Sequence, residues 1–225
     1  EFDIHGGGND LQFPHHENEL AQARAAGHAY AQHWLHNALV TANGQKISKS
    51  RGNGVLASEL LQQARPLVVR YALASAHYRS ELDLHDGFLA EAGAALSRIE
   101  GFLTRALREL GEVNAGSLPA AFESAMDDDL GIPSALAVIH DTVRAGNQAA
   151  DSGERAVFSA SASAVRAMMA ILGMDPLDSR WLAGGDQSLV DEVVTKILAA
   201  RQSAKNESRF DVADALRDSL EAAGI

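Results

Sequence analysis

The residues with the clearest capacity for chemistry lie in the first fifty positions. His15 and Glu19 are four residues apart, so on a helix their side chains project from one face and can bind one metal ion together. A zinc site takes about four ligands, or three and a position for substrate, so two residues do not complete one. The spacing alone therefore favours an ordinary solvated helix start with a hydrogen-bonded histidine.

A basic loop follows further along the chain. Residues Lys46 to Ser50 read Lys-Ile-Ser-Lys-Ser, continue into Arg51, and are flanked by Gly44 and Gly52. Cations and hydroxyls in a flexible loop can close on a triphosphate and neutralise the charge that develops during nucleotidyl transfer. A solvated basic loop has the same composition, which therefore does not decide between the two interpretations.

A run of three glycines, Gly6 to Gly8, precedes Asn9 and Asp10. Without Cβ atoms such a run presents backbone amides, which lets the chain approach a flat or phosphorylated ligand closely. The run matches neither the Walker pattern nor the dinucleotide fingerprint. A tight turn is the simpler prediction.

The elements that must position these residues are mixed near the start of the chain. We predict a strand at Phe2 to Ile4, a helix from His15 to Ala26 that Pro14 opens and Gly27 ends, and a buried strand at Ala38 to Val40. Asn43-Gly44 is a strong turn signal before the basic loop. Strand, helix, strand and loop in this order indicate part of a parallel α/β sheet.

From Ala57 onward the sequence predicts helices and no strand. Apolar residues recur at threes and fours, as in Leu96, Ile99 and Leu103, so each helix buries one stripe and the helices form a bundle. Met174 to Gly185 is predicted to connect the bundle to a final helical pair. The predicted helices are Ser58 to Ala64, Pro66 to Ser75, Asp86 to Leu110, Pro119 to Met126, Pro133 to Ala149, Gly153 to Leu172, Gln187 to Ala200 and Ser208 to Ala222.

Composition narrows the class of protein. The 225 residues are 46% hydrophobic, contain no Cys and carry a net charge of -11, so disulfides and thiolate metal sites within this chain are excluded. Of 19 basic and 30 acidic residues, seven and six lie in residues 1–80, which leaves 12 and 24 in the remainder. An RNA partner of the second part would therefore need local basic faces.

No targeting or membrane signal is present in the sequence. It contains neither a signal-peptide pattern nor a run of about 18 apolar residues, so a cytoplasmic location without a membrane partner is expected. The chain starts at Glu1 with no initiator Met and leads directly into a strand-like pair, from which we expect the numbering to begin inside a fold.

Taken in order, these segments resemble a class I cysteinyl-tRNA synthetase. The catalytic resemblance rests on four segments: His5 to Gly8, Phe13 to Glu19, Trp34 to Asn37, and Lys46 to Ser50 with Ile47 in place of the usual Met. Three later segments continue it: His77 to Ser80, Ala125 to Asp129, and Phe210 to Arg217. One departure is Leu130-Gly131-Ile132 before Pro133, where the family usually has Phe-Asn-Thr; Pro133 still suits a helix start.

The resemblance implies a mainly α fold in two parts. Residues 1–80 would be the distal part of a Rossmann-like class I catalytic domain, with half a zinc site, the signature loop and connecting helices. Residues 81–225 would be a helical anticodon-binding domain with a C-terminal helical pair. A monomer is expected.

The resemblance also implies roles for individual residues. His15 and Glu19 would be zinc ligands, with cysteines outside this chain as the others, and His5 and His16 would be pocket histidines. ATP with Mg²⁺ would be bound near Gly8, Asn9, Asp10 and Leu39, while Lys46 and Lys49 would act on its phosphates. The implied tRNA contacts are Arg201, Lys205, Arg209 and Arg217, although Asp211 and Asp214 interleave with them and favour a solvated, salt-bridged face.

The implied reaction joins cysteine to its tRNA through a cysteinyl adenylate made from ATP. The family's upstream His-rich ATP motif is not among these residues, so this chain alone is expected to be inactive. Two alternatives stay open. One is the related ligase that joins cysteine to an amino sugar in mycothiol assembly, and the other is a non-catalytic RNA-binding paralogue.

Overall fold

A computed structural model describes residues 1–47, 54–182, 187–206 and 209–222. The chain divides into two compact units, Glu1–Asp178 and Ser179–Ile225. The predicted boundary between residues 80 and 81 separates two domains that the family resemblance implies, not two compact units. It therefore stays a prediction.

Two parallel strands begin the first unit. Strand β1 (Phe2–Gly8) pairs with β2 (Ala31–Asn37), with His5 opposite Trp34 and Gly7 opposite His36. The predicted tight turn at the three glycines is wrong, because they continue β1 to its end. A Cβ atom on Gly7 would lie 2.9 Å from Cε1 of His16, so the missing side chain lets that imidazole approach the strand.

A helical segment connects the two strands. It consists of α1 (Asn9–Leu11), a wider turn at Gln12–His16 and α2 (Glu17–Ala25), with a break at Phe13, whose φ and ψ of -135° and 132° are extended. The predicted end at Gly27 is confirmed. This residue has a φ of 78°, and the amide of His28 donates to the carbonyl of Ala23, as in a Schellman motif.

A small second sheet follows β2. Strand β3 (Val40–Ala42) forms a hairpin with β4 (Gln45–Lys46) through the predicted turn at Asn43-Gly44, which is confirmed. The expectation of no strand after Ala57 is wrong, because β5 (Leu82–Asp83) pairs in parallel with β3. Two residues are too few to show a period-2 pattern, and the pairing joins distant parts of the chain.

The remaining elements of the first unit are helices close to their predicted bounds. They are α3 (Ala57–Gln63), α4 (Pro66–Ala74), α5 (Phe88–Leu110), α6 (Ala120–Asp127), α7 (Ile132–Asp151) and α8 (Arg155–Ile171). The predicted stripe of Leu96, Ile99 and Leu103 is fully buried. Next to it the rings of Phe102 and Phe158 meet edge to face, with centroids 5.8 Å apart.

A polar cluster holds the loop before β5 against the turn between α6 and α7. The Tyr78 hydroxyl donates to Oδ1 of Asp129 at 2.6 Å, and Nε of Arg79 lies 2.6 Å from Oδ2 of the same carboxylate. These hydrogen bonds hold the pKa of Asp129 below its ordinary value. Asp129 and Leu130 both have positive φ, and Pro133 stands in the first turn of α7 as predicted.

The second unit contains the predicted helical pair. Helices α10 (Gln187–Asn206) and α11 (Phe210–Ala222) pack on each other, with Ala204 and Ala213 buried. A short helix α9 (Ser179–Leu182) lies in the segment predicted as a connection. Among the described residues no helix combines the length and apolar character that crossing a membrane requires.

Candidate functional site

Two imidazoles and a carboxylate converge beside β1. One ligand atom each from His5, His16 and Glu19 lies within 4.8 Å of the others, and no other group of three such residues is found in the part of the chain that the structure describes. His5 comes from the middle of β1, while His16 and Glu19 come from the helical segment that follows it. We call these three residues the metal-candidate group.

Two groups approach the same carboxylate oxygen of Glu19. Nε2 of His5 lies 3.0 Å from Oε2 of Glu19, and the Tyr30 hydroxyl donates to the same oxygen at 3.0 Å. Burial, and then the hydrogen bond to Glu19, raise the pKa of Tyr30, so the phenol keeps its proton at neutral pH. The carboxylate is thus oriented by His5 on β1 and by Tyr30 in the loop between α2 and β2.

His16 is the buried member of the group. Its Nδ1 lies 2.8 Å from Nε2 of His36, and its ring centroid lies 4.5 Å from that of His5 and 5.3 Å from that of Trp34. Burial lowers the pKa of His16, and the nearby His5 lowers it further. A neutral imidazole is the form that binds metal, so His16 is in the ligating state at neutral pH.

The group agrees only in part with the predicted ligand pair. Glu19 belongs to it, but the imidazoles are those of the predicted pocket histidines, His5 and His16. His15 is exposed and lies outside the group. Its predicted role as a ligand stays a prediction, and His15 and Glu19 do stand four residues apart on adjoining helical turns.

Three neighbours of the group were not predicted as site residues. His36 and Trp34 lie on β2 directly opposite β1 residues, and the Trp34 to Asn37 segment could have identified them, because it contributed to the resemblance. Tyr30 precedes β2 in a loop. Only its contact with Glu19 in the folded chain identifies it.

The predicted ATP-binding residues occupy the end of β1 and the start of β3. Gly8 is the last residue of β1, the Asp10 carboxylate lies against it, and Asn9 and Asp10 are exposed in α1. Leu39 is half-buried between β2 and β3, where its carbonyl accepts the amide of Leu82 at 3.1 Å. Their contact with ATP stays a prediction.

Of the two predicted catalytic lysines, only Lys46 is among the residues that the structure describes. Lys46 is exposed on β4, opposite Thr41 of β3. Lys49 lies outside the described residues. The small sheet therefore carries the first lysine of the basic loop on its hairpin edge, and the proposed action of both lysines on ATP remains untested.

The predicted tRNA contacts lie in the second unit. Arg201 and Lys205 are on α10, Arg209 immediately precedes α11, and Arg217 is on α11. Arg217 donates to Asp214 at 3.0 Å, one of the ion pairs that a salt-bridged face would contain. Neither interpretation of this face is excluded by that single pair.

The donor types of the metal-candidate group suit a borderline-soft divalent ion. Zinc binds imidazole nitrogen and carboxylate oxygen, and structural or catalytic sites use three or four such ligands. The chain has no Cys, so it can supply nitrogen and oxygen donors but no thiolate. On chemical grounds the residues present fit zinc, with at least one coordination position left for a ligand from elsewhere.

Comparison with known sequences defines the class. Residues 1–94 match the family described as tRNA synthetases class I (C) catalytic domain, and residues 121–176 match the DALR domain. Residues 1–94 therefore contain a class I tRNA synthetase catalytic domain and residues 121–176 a DALR domain, and the resemblance predicted from the ordered motifs is confirmed. The DALR match lies upstream of Asp214 to Arg217, the segment that spells the domain's name.

The similar curated proteins are named cysteine–tRNA ligase. One, from Clavibacter michiganensis subsp. michiganensis, is 52% identical over 239 residues, which cover 100% of this chain and 49% of the relative. Another, from Streptomyces avermitilis, is 48% identical over 231 residues, which cover 100% of this chain and 50% of the relative. The chain thus spans about half the length of the curated relatives it matches.

Two solved structures share the fold at low sequence identity. A LeuRS from Agrobacterium radiobacter, in a ternary complex with tRNA and LeuAMS, has a TM-score of 0.60 at 18% identity over 84% of this chain and 28% of that chain. Mycobacterium tuberculosis methionyl-tRNA synthetase, in complex with methionyl-adenylate, has a TM-score of 0.55 at 17% identity over 78% and 40%. The predicted mainly α fold, with a Rossmann-like part and a helical domain, is confirmed.

Proposed function

We propose that this chain serves the ATP-dependent attachment of cysteine to its tRNA through a cysteinyl adenylate. The observation that carries the proposal is the convergence of His5, His16 and Glu19 beside a parallel strand, in a chain whose curated relatives are named cysteine–tRNA ligase. The proposed partners are cysteine, ATP and the cysteine tRNA. The proposed location is the cytoplasm and the proposed oligomeric state is a monomer.

Zinc is the proposed metal, and Glu19 is its first proposed ligand. The family resemblance supports His15 as the second, with His5 and His16 as pocket residues. The convergence within 4.8 Å supports a different set, in which His5 and His16 are themselves ligands. When bound, zinc would supply recognition of the substrate thiolate, which distinguishes cysteine from serine.

The chain's own residues would prepare this pocket. Tyr30 orients the Glu19 carboxylate, while the Trp34 ring lies against His5, with centroids 4.9 Å apart. The neutral His16 imidazole needs no deprotonation before it binds a metal. These contacts support a site that is largely arranged before substrate arrives.

ATP is proposed to bind at the end of β1. The family resemblance supports an adenylate close to Gly8, with Asn9, Asp10 and Leu39 beside it. Lys46 and Lys49 would neutralise the phosphate charge that develops as pyrophosphate leaves, together with Mg²⁺.

A chimera tests the function directly. Residues 1–225 would replace the matching half of the Clavibacter michiganensis relative, and cysteine-dependent ATP–pyrophosphate exchange and tRNA charging would be measured. We expect both activities, with serine rejected, whereas the chain alone shows no exchange. Replacing Lys46 with Ala in the chimera should slow exchange by about 100-fold, because one charge-stabilising donor is removed.

Acceptor and metal measurements separate the alternatives. An amino-sugar acceptor is offered in competition with tRNA, and its preferential use would refute the proposal in favour of the mycothiol-type ligase. A chimera that folds, binds tRNA and lacks exchange would favour the non-catalytic paralogue. Zinc titration of the H15A, H16A and E19A variants identifies the ligands: E19A weakens binding in either arrangement, while H15A and H16A distinguish the two histidine assignments.

A further inference from the structure

A recess with basic residues in its walls lies between α5 and α7, far along the sequence from the metal-candidate group. Its volume is about 490 Å³, and its walls include Arg98 from α5 and His140, Arg144 and Asn147 from α7. The three α7 residues are four and three apart, so they share one face of that helix. The recess lies entirely within the first compact unit.

The recess is locally positive in an acidic part of the chain. None of its lining residues is acidic. Arg144 is bound to Asp141 one turn earlier at 2.9 Å, whereas Arg98 forms no ion pair within the described ranges. The nearest acid on α5, Glu100, is already bound to Arg65 at 2.9 Å. An exposed guanidinium without a carboxylate partner is available to bind an anion from outside the chain.

Asn147 adds an oriented hydrogen-bond donor. Its Oδ1 atom accepts a hydrogen bond from Nη1 of Arg105 at 3.3 Å. The amide nitrogen of Asn147 is the remaining polar atom of that side chain and can only donate. Arg105 is in turn held by Glu109 and Asp151 at 2.9 Å each, so it orients Asn147 without adding free charge to the recess.

A helical glycine, Gly101, lies at the edge of the recess. A Cβ atom on Gly101 would meet no atom within 4 Å, so packing does not require glycine at this helical position. By contrast, a Cβ atom on Gly146 would lie 2.5 Å from Cζ of Phe102, so packing does require that one. Glycine inside a helix costs about 1 kcal/mol relative to alanine. At Gly101 its structural effect is to leave the helix backbone bare at the edge of the recess.

His140 reports on the charge in the recess. Its Nε2 atom lies 2.9 Å from the Tyr71 hydroxyl. Burial lowers the pKa of His140, Arg98 and Arg144 lower it further, and Asp141 opposes them. An anion seated between the two guanidinium groups would offset their effect and raise this pKa.

We propose that this recess, defined by Arg98, Gly101, Arg144 and Asn147, binds a phosphate group of an RNA backbone. The choice of RNA as the source of the phosphate rests on the proposed function, in which tRNA is the partner. Two guanidinium groups and an amide suit a phosphate. Phe102 in the lining is only 2% exposed and the His140 ring is held by Tyr71, so neither ring is positioned as a platform for base stacking.

The experiment measures binding of a cysteine tRNA transcript to the 225-residue chain by fluorescence anisotropy across a salt series. R98Q and R144Q should each weaken binding by about tenfold and make the dependence on log salt shallower by about one. R108Q removes the same charge from the same helix outside the recess and should leave affinity nearly unchanged. G101E fills the recess with a carboxylate and should abolish the contact.

A spectroscopic measurement separates a binding role from a structural one. The pKa of His140 is followed by NMR with the tRNA transcript, with inorganic phosphate, and with neither. We expect tRNA to raise it in the original chain and in R108Q but not in G101E. A rise with inorganic phosphate and none with tRNA would overturn the assignment to RNA.

Parallel activity measurements distinguish this inference from the proposed function. If the chimera charges tRNA and R98Q, R144Q and G101E bind tRNA with the original affinity and salt dependence, the recess assignment is wrong while the function stands. Loss of tRNA charging in the chimera with His140 still responding to tRNA would refute the proposed function and retain the phosphate site.

Discussion

Replacing a helical glycine with alanine should have opposite effects on stability at two positions of the bundle. Gly146 of α7 and Gly101 of α5 are both inside helices, so replacing either with Ala gains about 1 kcal/mol of helix propensity. Their surroundings differ. The new Cβ atom at Gly146 would lie 2.5 and 2.7 Å from two ring carbons of Phe102 and 2.8 Å from Cβ of Ser161, whereas at Gly101 it would meet nothing within 4 Å.

The magnitudes follow from these contacts. Carbon atoms pack best about 3.5 to 4.0 Å apart, so three contacts are roughly 1 Å too short in the Gly146→Ala variant. Phe102 is only 2% exposed and cannot swing aside. Overpacking of this kind costs about 3 kcal/mol at the upper end of its usual range, which leaves a net destabilisation of about 2 kcal/mol. Gly101→Ala should instead stabilise by about 1 kcal/mol.

Differential scanning calorimetry measures both variants. For a chain of this length, Tm should fall by about 4–8 °C in Gly146→Ala and rise by about 2–4 °C in Gly101→Ala. Replacing Phe102 with Leu removes the obstructing ring atoms, so the cost of Gly146→Ala should shrink by about 1 kcal/mol or more in that background. Equal Tm values for the two alanine variants would refute the packing argument.

Three further predictions concern the polar cluster, the metal-candidate group and a buried ion pair. The pKa of Asp129 is held below its ordinary value of 3.8, so its charge stabilises the fold above that pH and the contribution is lost as pH falls through the lower, folded-state value. D129N should therefore lower the urea midpoint at pH 7 and approach the original chain near pH 3. Gly7→Ala would displace the adjacent imidazole and lower zinc affinity by about tenfold in a competition titration with a chromophoric chelator. Nε of the mostly buried Arg166 lies 3.0 Å from the Asp175 carboxylate. Asp175→Ala removes that partner and should lower the free energy of unfolding, measured in urea, by roughly 2–3 kcal/mol.

Each of these predictions has a matched control. D128N removes a neighbouring exposed carboxylate and should change the urea midpoint little at either pH. Gly6→Ala places its Cβ 3.4 Å from the nearest atom, an ordinary contact, and should retain zinc affinity. Asp214→Ala breaks the exposed pair with Arg217 and should cost less than about 1 kcal/mol. A control that matches its test variant contradicts the corresponding reasoning.

Local pattern predicted the helices well because each buries a stripe that its own residues define. The stripe at Leu96, Ile99 and Leu103 is an example, since all three become fully buried. Strand β2 was missed because its polar residues, among them Gln32 and His33, hide the alternation that a half-buried strand would show. Strand β5 was missed because its two residues gain their pairing only from a distant segment.

The sequence predicted a site made of histidine and glutamate, with His15 and Glu19 as its ligands. The structure instead brings His5 and His16 together with Glu19. Adjacent residues on a helix point about 100° apart, so whether His15 or His16 turns towards β1 depends on where the helix starts. The extended backbone at Phe13 sets that rotation. Phe13 precedes Pro14, which disfavours the helical conformation of the residue before it, so the break follows from the sequence, whereas the direction in which each histidine then points does not. The Tyr30 contact with Glu19 is likewise a product of the folded crossover, because it joins a loop residue to a helix.

All the side chains that meet around Glu19 come from one strand–helix–strand crossover, between positions 5 and 36. Closing so short a loop costs little chain entropy, and its contacts do not depend on the more distant helices. The crossover can therefore assemble its histidines and carboxylate before the bundle is complete. Sequence changes in the bundle can then accumulate without altering the geometry that a metal ion would meet.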